Sequence, residues 1–363
     1  MKIAVLLSGG VDSSVALRLL QEEGHDLHAF YLKVWLEDEL AHLGRCPWEE
    51  DLGYARAVCE QAGVPLEVVP LQREYHQRVV EHALAELDAG RTPSPDVFCN
   101  RHVKFGAFYD HVAGRGFERI ASGHYARTAV VEDGVELLQG VDPVKDQTYF
   151  LYRLDQDQLR RCRFPIGDRP KSEVRRLARD LGLANRDRKD SQGICFLGKI
   201  AYDDFLLATL GERPGEIRDI DGGRRLGEHR GLWFHTIGQR RGLGLGGGPW
   251  YVVDKDLDDN VVWVAHGEAL PDHGGDRFRL ADVHWILRPP QQPRLRVKLR
   301  HSPQTYACEL AEPEAAEPEV RLDEPQPGIA DGQSAVFYDD GDRCLGGGTI
   351  VTVRARAGRA SSR

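Results

Sequence analysis

One short glycine-serine loop and two cysteines hold the chemistry available to this chain. Residues 8–14 read SGGVDSS, directly after the apolar run IAVLL and just before an amphipathic stretch expected to become a helix at Val15. Gly9 and Gly10 can adopt positive φ and turn backbone N–H groups inward. Ser13 and Ser14 stand where a helix N-terminus leaves its donors and positive dipole end exposed. The expected ligand is a polyphosphate, with Asp12 as the carboxylate that meets its metal or positions it. The run is neither G-x-x-x-x-G-K-[ST] nor G-x-G-x-x-G, so it brings no lysine of its own to a γ-phosphate.

Cys99 lies in TPSPDVFCNRHVKFG, where Pro93 and Pro95 impose an extended approach and a helix is expected to begin near Asp96 to Asn100. A thiol in or beside a helix first turn, with Arg101, His102 and Lys104 close in sequence, is favoured as thiolate. Cys195 lies in RDRKDSQGICFLG, where Gly193 and Gly198 indicate an exposed loop and basic residues again precede the thiol. Taken alone, either cysteine is read more readily as a buried structural residue than as a nucleophile.

These residues need a scaffold. Up to about residue 200, short apolar runs (Ile3–Leu7, Asp26–Trp35, Leu66–Pro70, Arg119–His124) alternate with helical stretches near 14–23, 50–62, 73–89 and 102–115. That is the pattern of an α/β, doubly wound parallel sheet of Rossmann-like kind, whose ligands bind beyond the carboxyl ends of the strands. The loop at 8–14 and SGHY at 122–125 would then share a crevice. From about 212 the text changes to short alternating strands bounded by Gly, Asp and Asn, and from about 276 to a second set with Pro- and Gly-rich turns. Two small β-rich, barrel-like domains are expected, giving units at 1–205, 206–275 and 276–356 with a tail at 357–363. The glycine triplets at 246–248 and 346–348 are expected to be turns.

A chain of 363 residues with 41% hydrophobic content can build such cores, and its net charge of −9 argues against attachment to nucleic acid by bulk positive charge. Local basic surfaces remain available. RLRVKLRH at 294–301 places alternate basic residues on one strand face, which suits a phosphate track, whereas the basic stretch at 169–190 fits a solvated helix as well as an RNA surface. Seven scattered cysteines without a C-x-x-C pair fit neither a secreted disulfide scaffold nor a zinc ribbon. With no leader or membrane-length apolar stretch visible, a soluble, cytoplasmic, monomeric protein is expected.

SGGVDSS resembles the PP-loop of ATP pyrophosphatases. Together with PSPDVFCNRHVKFG, ASGHYAR, KDQTYFLY, KDSQGICFLG, HTIGQRRGLGLGG, WYVVDKD and GQSAVFYDDGDRCLGGG, in this order, it makes the chain resemble the bacterial and organellar tRNA 2-thiouridylase family from residue 3 to about 352. The resemblance implies ATP-dependent adenylation of the 2-oxygen of the anticodon wobble uridine, loss of pyrophosphate, and replacement of that oxygen by sulfur. By the same resemblance Cys195 carries the persulfide and Cys99 resolves it, leaving a Cys99–Cys195 disulfide, with Asp96 as general acid/base. ATP and its Mg²⁺ would lie on Leu6, Leu7, Ser8, Gly9, Gly10, Val11, Asp12 and Ser13, with Leu32 against adenine and Gly123 nearby. The anticodon arm of tRNA would meet Ser94, Pro95, Asp96, His124, Lys145, Asp146, Gln147, Arg300, His301 and Gln333. An upstream persulfide donor or relay protein of the cysteine desulfurase system is also implied.

Ser94 departs from the Asn common in the family, and Leu32 from the Met of some members. The residues themselves supply a reason for two thiols: a terminal persulfide sulfur must attack carbon, and a second thiolate must break the S–S bond. Another PP-loop enzyme that delivers nitrogen, such as a lysidine or argininosuccinate synthetase, would leave Cys99 and Cys195 without work. A non-catalytic RNA-binding module would not need the intact loop.

Overall fold

The computed structural model describes residues 1–34, 48–190 and 201–352. Strands β1 (Lys2–Leu6), β2 (Asp26–Lys33), β3 (Leu66–Pro70) and β4 (Arg119–Ala121) run parallel. A hairpin of β5 (Ala126–Val131) and β6 (Gly134–Gln139) leaves this sheet, which β7 (Cys162–Arg163) then completes in the order β3-β2-β1-β4-β7.

The apolar run of β1 is continuous because both of its faces are covered. Ile3 and Val5, followed by Leu7, pack with Leu17 and Leu20 of α1 (Val11–Glu22) and Leu52 and Ala55 of α2 (Trp48–Ala62). Ala4 and Leu6 face the other way, into a cluster with Tyr75 and Val79 of α3 (72–88) and Val103 and Phe105 of α4 (95–112). Among the described residues the remaining α-helices are α5 (Gln156–Arg161), α6 (Lys171–Asp180) and α7 (Tyr202–Leu210). Helix α1 begins at Val11, four residues before the expected Val15, and α4 begins at Pro95, whose fixed φ suits the first helical position. Strand β4 stops at Ala121 rather than running on to His124.

A second sheet has the order β10-β11-β8-β9, from β8 (Gly215–Asp219), β9 (Arg225–His229), β10 (Trp250–Asp256) and β11 (Val261–His266), around Ile217, Val252, Val262 and Val264. The third comprises β12 (Gly275–Trp285), β13 (Arg294–Lys298), β14 (Tyr306–Ala311), β15 (Glu319–Gln326), β16 (Ser334–Tyr338) and β17 (Arg343–Thr352). Pairing of β12 with β17 closes these six strands into an antiparallel barrel. The hairpin β5–β6 extends that barrel rather than the first sheet, with Leu138 opposite Arg343 and Leu137 opposite Cys344.

The triplet at 346–348 is no turn. It lies inside β17, where a β-carbon on Gly346 or Gly347 would overlap the carbonyl oxygens of His284 or Ala335 on the flanking strands. Among the described residues no helix is long and apolar enough to cross a membrane.

Candidate nucleotide and thiol site

Strand β1 delivers the loop to the crevice beside the end of β4, and glycine makes the geometry possible. Gly9 has φ +75°, and a β-carbon there would overlap the Asp51 carbonyl, whereas Gly10 is extended at φ −79° and has room for one. The positive φ expected at both glycines is therefore confined to Gly9, because Gly10 serves as the N-cap of α1. Gly123 approaches so closely that a β-carbon on it would lie 2.6 Å from the Ser13 nitrogen, so this position admits only glycine. Ser13 and Ser14 donate their hydroxyls to the Gly10 carbonyl at 3.1 and 2.9 Å, and the Ser8 nitrogen donates to Ser13 Oγ at 3.2 Å. Asn185 Nδ2 braces the turn through the Gly9 carbonyl at 2.8 Å and Ser14 Oγ at 2.9 Å, and Arg188 joins Gly9 to the Asp51 carboxylate. The result is a preformed cradle at a helix N-terminus with the Ser8 side of the loop open to solvent. Leu6, Leu7 and Val11 are buried, so only their backbone faces this cradle's surroundings, while Leu32 is half-buried on β2.

Asp12 is engaged by groups that motif reading missed. Its carboxylate accepts from Tyr125 Oη at 2.9 Å and from Lys171 Nζ at 2.7 and 2.8 Å. Lys171 also pairs with Asp190 at 2.9 Å, and Asp190 with Lys145 at 2.8 Å and with Arg175. Burial works against the Asp190 carboxylate, but the bonds from Lys145 and Lys171 outweigh it and hold Asp190 well below the usual carboxylate range. Tyr125 is pushed upward by burial and by the Asp12 charge, and so stays a hydroxyl donor. Asp12 and Lys171 lie 159 positions apart, so no spacing signals the pair. The cradle fits the phosphates of ATP. Among the described residues no group of three ligands could cage a metal, and Asp12 is the carboxylate that would share a Mg²⁺ with those phosphates once Lys171 released it.

Cys99 sits just past the first turn of α4, where the helix widens to π geometry over Cys99–Ala107, and only 2% of it is exposed. It is therefore not in the first turn itself, the position expected to depress a thiol most strongly. Cys195 and its expected disulfide with Cys99 fall outside the described residues. Among the described residues burial pushes the other thiols up, to about 11 for Cys59 and about 12 for Cys308, and further for Cys162 and Cys344, which disfavours the reactive thiolate at these four.

The structure gathers part of the expected RNA-facing set. Tyr149 Oη donates to the Ser334 carbonyl at 3.0 Å and bonds Ser94, while the His301 ring lies 4.4 Å from that of Phe150, with Asp96 near enough to act on its charge. Pro95 and Gln333 line a cavity of about 230 Å³ with Tyr202 and Thr236. Lys145 is paired to Asp190, and Gln147 Oε1 accepts from the Tyr125 nitrogen at 2.9 Å.

Other members of the set are buried or paired within the chain. Asp146 is 2% exposed, and its oxygens are filled by Lys298, Thr148, Gln139 and the Gly140 nitrogen, leaving the side chain nothing to offer RNA. His124 is buried against Phe105 and Phe164 with Nδ1 2.8 Å from Ser122 Oγ, and burial holds it far below the usual histidine range. The expected phosphate track on β13 is largely engaged within the chain: Arg294 pairs with Asp323, Arg296 donates to the Asp339 carbonyl, and Lys298 is sealed on Asp146. Arg300 remains exposed, its guanidinium near Gly328.

A parallel α/β sheet with a PP-loop at its first turn, followed by two small β modules, defines a HUP-type enzyme carrying appended barrels. The model for the tRNA methyl transferase HUP domain matches residues 1–199, that for the tRNA methyl transferase PRC-barrel domain 203–266, and that for the aminomethyltransferase β-barrel domain 275–350. A tRNA-specific 2-thiouridylase of Bacteroides thetaiotaomicron is 44% identical over 358 residues, covering 97% of this chain and 100% of the relative. One from Sodalis glossinidius is 46% identical, covering 96% of each chain. The chain belongs to the tRNA-specific 2-thiouridylase family, a family of sulfurtransferases.

Proposed function

We propose that the protein thiolates the 2-position of the wobble uridine in tRNA anticodons, using ATP and a cysteine-borne persulfide. The observation that carries this reading is the cradle formed by Gly9, Gly123 and the first turn of α1, with Cys99 packed in the same core cluster as Leu6 of the adjoining strand. ATP with Mg²⁺, when bound, supplies the α-phosphorus that activates the uracil oxygen and the pyrophosphate that departs. The loop and its helix dipole hold the departing anion. Asp96, beside Ser94 and Pro95, manages the proton at the base. The terminal sulfur on Cys195 bonds to carbon 2, the Cys99 thiolate attacks Cys195 Sγ and breaks the S–S bond, and the bond from carbon 2 to the adenylated oxygen breaks with release of AMP. The sulfur stays on the base, the two cysteines are joined, and an external thiol reduces them.

The description of the matching family model names methyl transfer. A polyphosphate cradle, with a thiol in the core cluster that packs on the adjoining strand, gives that reaction nothing to use and favours sulfur. Units at 1–205, 206–275 and 276–356 acting together as a cytoplasmic monomer, supplied by a persulfide donor, complete the proposal.

The test separates the two half-reactions. Cys195→Ser and Cys99→Ser should both release pyrophosphate from ATP in the presence of tRNA and should both fail to form 2-thiouridine by nucleoside mass spectrometry. Only the Cys99→Ser protein should retain a persulfide. Normal thiolation by the double variant would overturn the mechanism.

A further inference from the structure

We infer that Lys171 is the phosphate-binding cation of the loop at 8–14, delivered from a separate helix, and that its pairing with Asp12 is the resting position it leaves when a polyphosphate arrives. The inference rests on the ATP reading above and assigns a residue within it.

Glycine-rich phosphate loops of the G-K-[ST] kind place a lysine on the terminal phosphates, and SGGVDSS has none. The fold replaces it. Lys171 is the first residue of α6, and its side chain, 13% exposed, extends to Asp12 in the first turn of α1. The Lys171 backbone nitrogen donates to Asp142 Oδ2 at 2.9 Å, which fixes the base of the side chain while leaving its four-carbon stem free to reorient.

Lys171 can leave its resting place without breaking the network. The carboxylates of Asp12, Asp142 and Asp190 meet Lys145, Lys171 and Arg175, Asp142 through the Lys171 backbone nitrogen, and each carboxylate that the Lys171 ammonium leaves has a second partner. Asp190 keeps Lys145 and Arg175 when Lys171 turns away, and Asp12 keeps the Tyr125 hydroxyl, so neither is stranded. Arg188 is unsuited to the part, because its guanidinium is committed to the Gly9 carbonyl and the Asp51 carboxylate that shape the turn. A strongly hydrated, mobile ammonium that exchanges carboxylate oxygens for phosphate oxygens is what a departing pyrophosphate needs.

The experiment measures binding, not turnover, with the full-length protein in metal-free buffer and three probes: ATP, inorganic pyrophosphate and adenosine. In Lys171→Gln, ATP and pyrophosphate should bind about tenfold or more weakly, as expected for a lost charge-assisted bond, with adenosine within about twofold of wild type. Lys171→Arg should recover part of the loss. Asp12→Asn, which leaves the ammonium only its Asp190 carboxylate, should bind pyrophosphate at least as tightly as wild type, and this arm decides the matter if the Gln variant is unstable. Equal weakening for all three probes would assign Lys171 a merely structural role, and unchanged pyrophosphate affinity, or a tenfold loss in Asp12→Asn, would equally overturn the inference. A wild-type protein that binds neither ATP nor pyrophosphate would instead overturn the nucleotide reading on which it stands, and this assignment with it.

Discussion

Lys298 Nζ lies 2.7 Å from Asp146 Oδ2, with neither side chain more than 1% exposed, so a buried ion pair clamps the third strand-forming region to the segment that follows the hairpin. Removing one partner leaves an uncompensated charge in the interior. Lys298→Met should therefore lose about 3–5 kcal/mol in urea unfolding, and adding Asp146→Asn to it should recover part of the loss. A single-variant loss below about 1 kcal/mol would mean that water reaches the pair.

Gly9 and Gly10 should respond differently to the same methyl group. Gly9→Ala meets both a positive φ and the Asp51 carbonyl, and should cost about 2 kcal/mol or more together with ATP binding. Gly10→Ala has neither obstacle and should stay within about 1 kcal/mol of wild type. Calorimetric titration with ATP and thermal melts of both variants decide it, and equal damage would remove the special status of Gly9.

Arg300 and Arg294 share a strand region but not a role. Arg300→Ala should weaken tRNA binding and lower the log–log salt slope by about one unit, since no carboxylate is paired with it among the described residues. Arg294→Ala breaks only the contact to Asp323, 2.6 Å away at an exposed edge, and should leave the slope alone. Filter binding across a salt series separates them, and matching slopes for all three proteins would take Arg300 off the RNA path.

Acid should loosen the central module. Burial, then His229 and Lys255, push His235 down to about 4. A histidine whose folded pKa lies below its unfolded value binds fewer protons when folded, so its contribution is whole above about pH 6.5 and is lost as pH falls toward 4. Between pH 7 and pH 5 His235 alone should account for about 2 kcal/mol, and His235→Phe should remove that much of the decline. His102, also held near 4 with burial as the leading cause, acts in the same direction elsewhere, so only the difference between variant and wild type isolates His235. Parallel urea midpoints for the two proteins at both pH values would show that it stays uncharged for another reason.

What could be read beforehand was local. β3 falls on 66–70 as its apolar run requires, and SGGVDSS marks its turn because the glycine, the carboxylate and the hydroxyls are neighbours in sequence. What escaped depends on partners far away. Strand β12 is broken up by charged residues and by Asp282 at φ +48°, so its alternation is visible only beside β15 and β17. The β5–β6 hairpin did carry a signal, Asp133-Gly134 between apolar runs, but nothing in it told which sheet it would join. Asp146 and His124 look like surface polar residues until the elements that bury them are in place.

That hairpin sets an order of events during synthesis. Leu138 leaves the ribosome some two hundred residues before Arg343, its partner in β17, and at about 5–20 residues per second the interval is roughly 10–40 s. Throughout it, β6 presents an open edge to the crowded cell, guarded chiefly by Glu136 and by the neighbouring Arg127. Strand β17 then pairs with β6, β12 and β16, so one strand both covers the exposed edge and closes the barrel, and the wait for it sets how long the nascent hairpin stays open to sticky encounters.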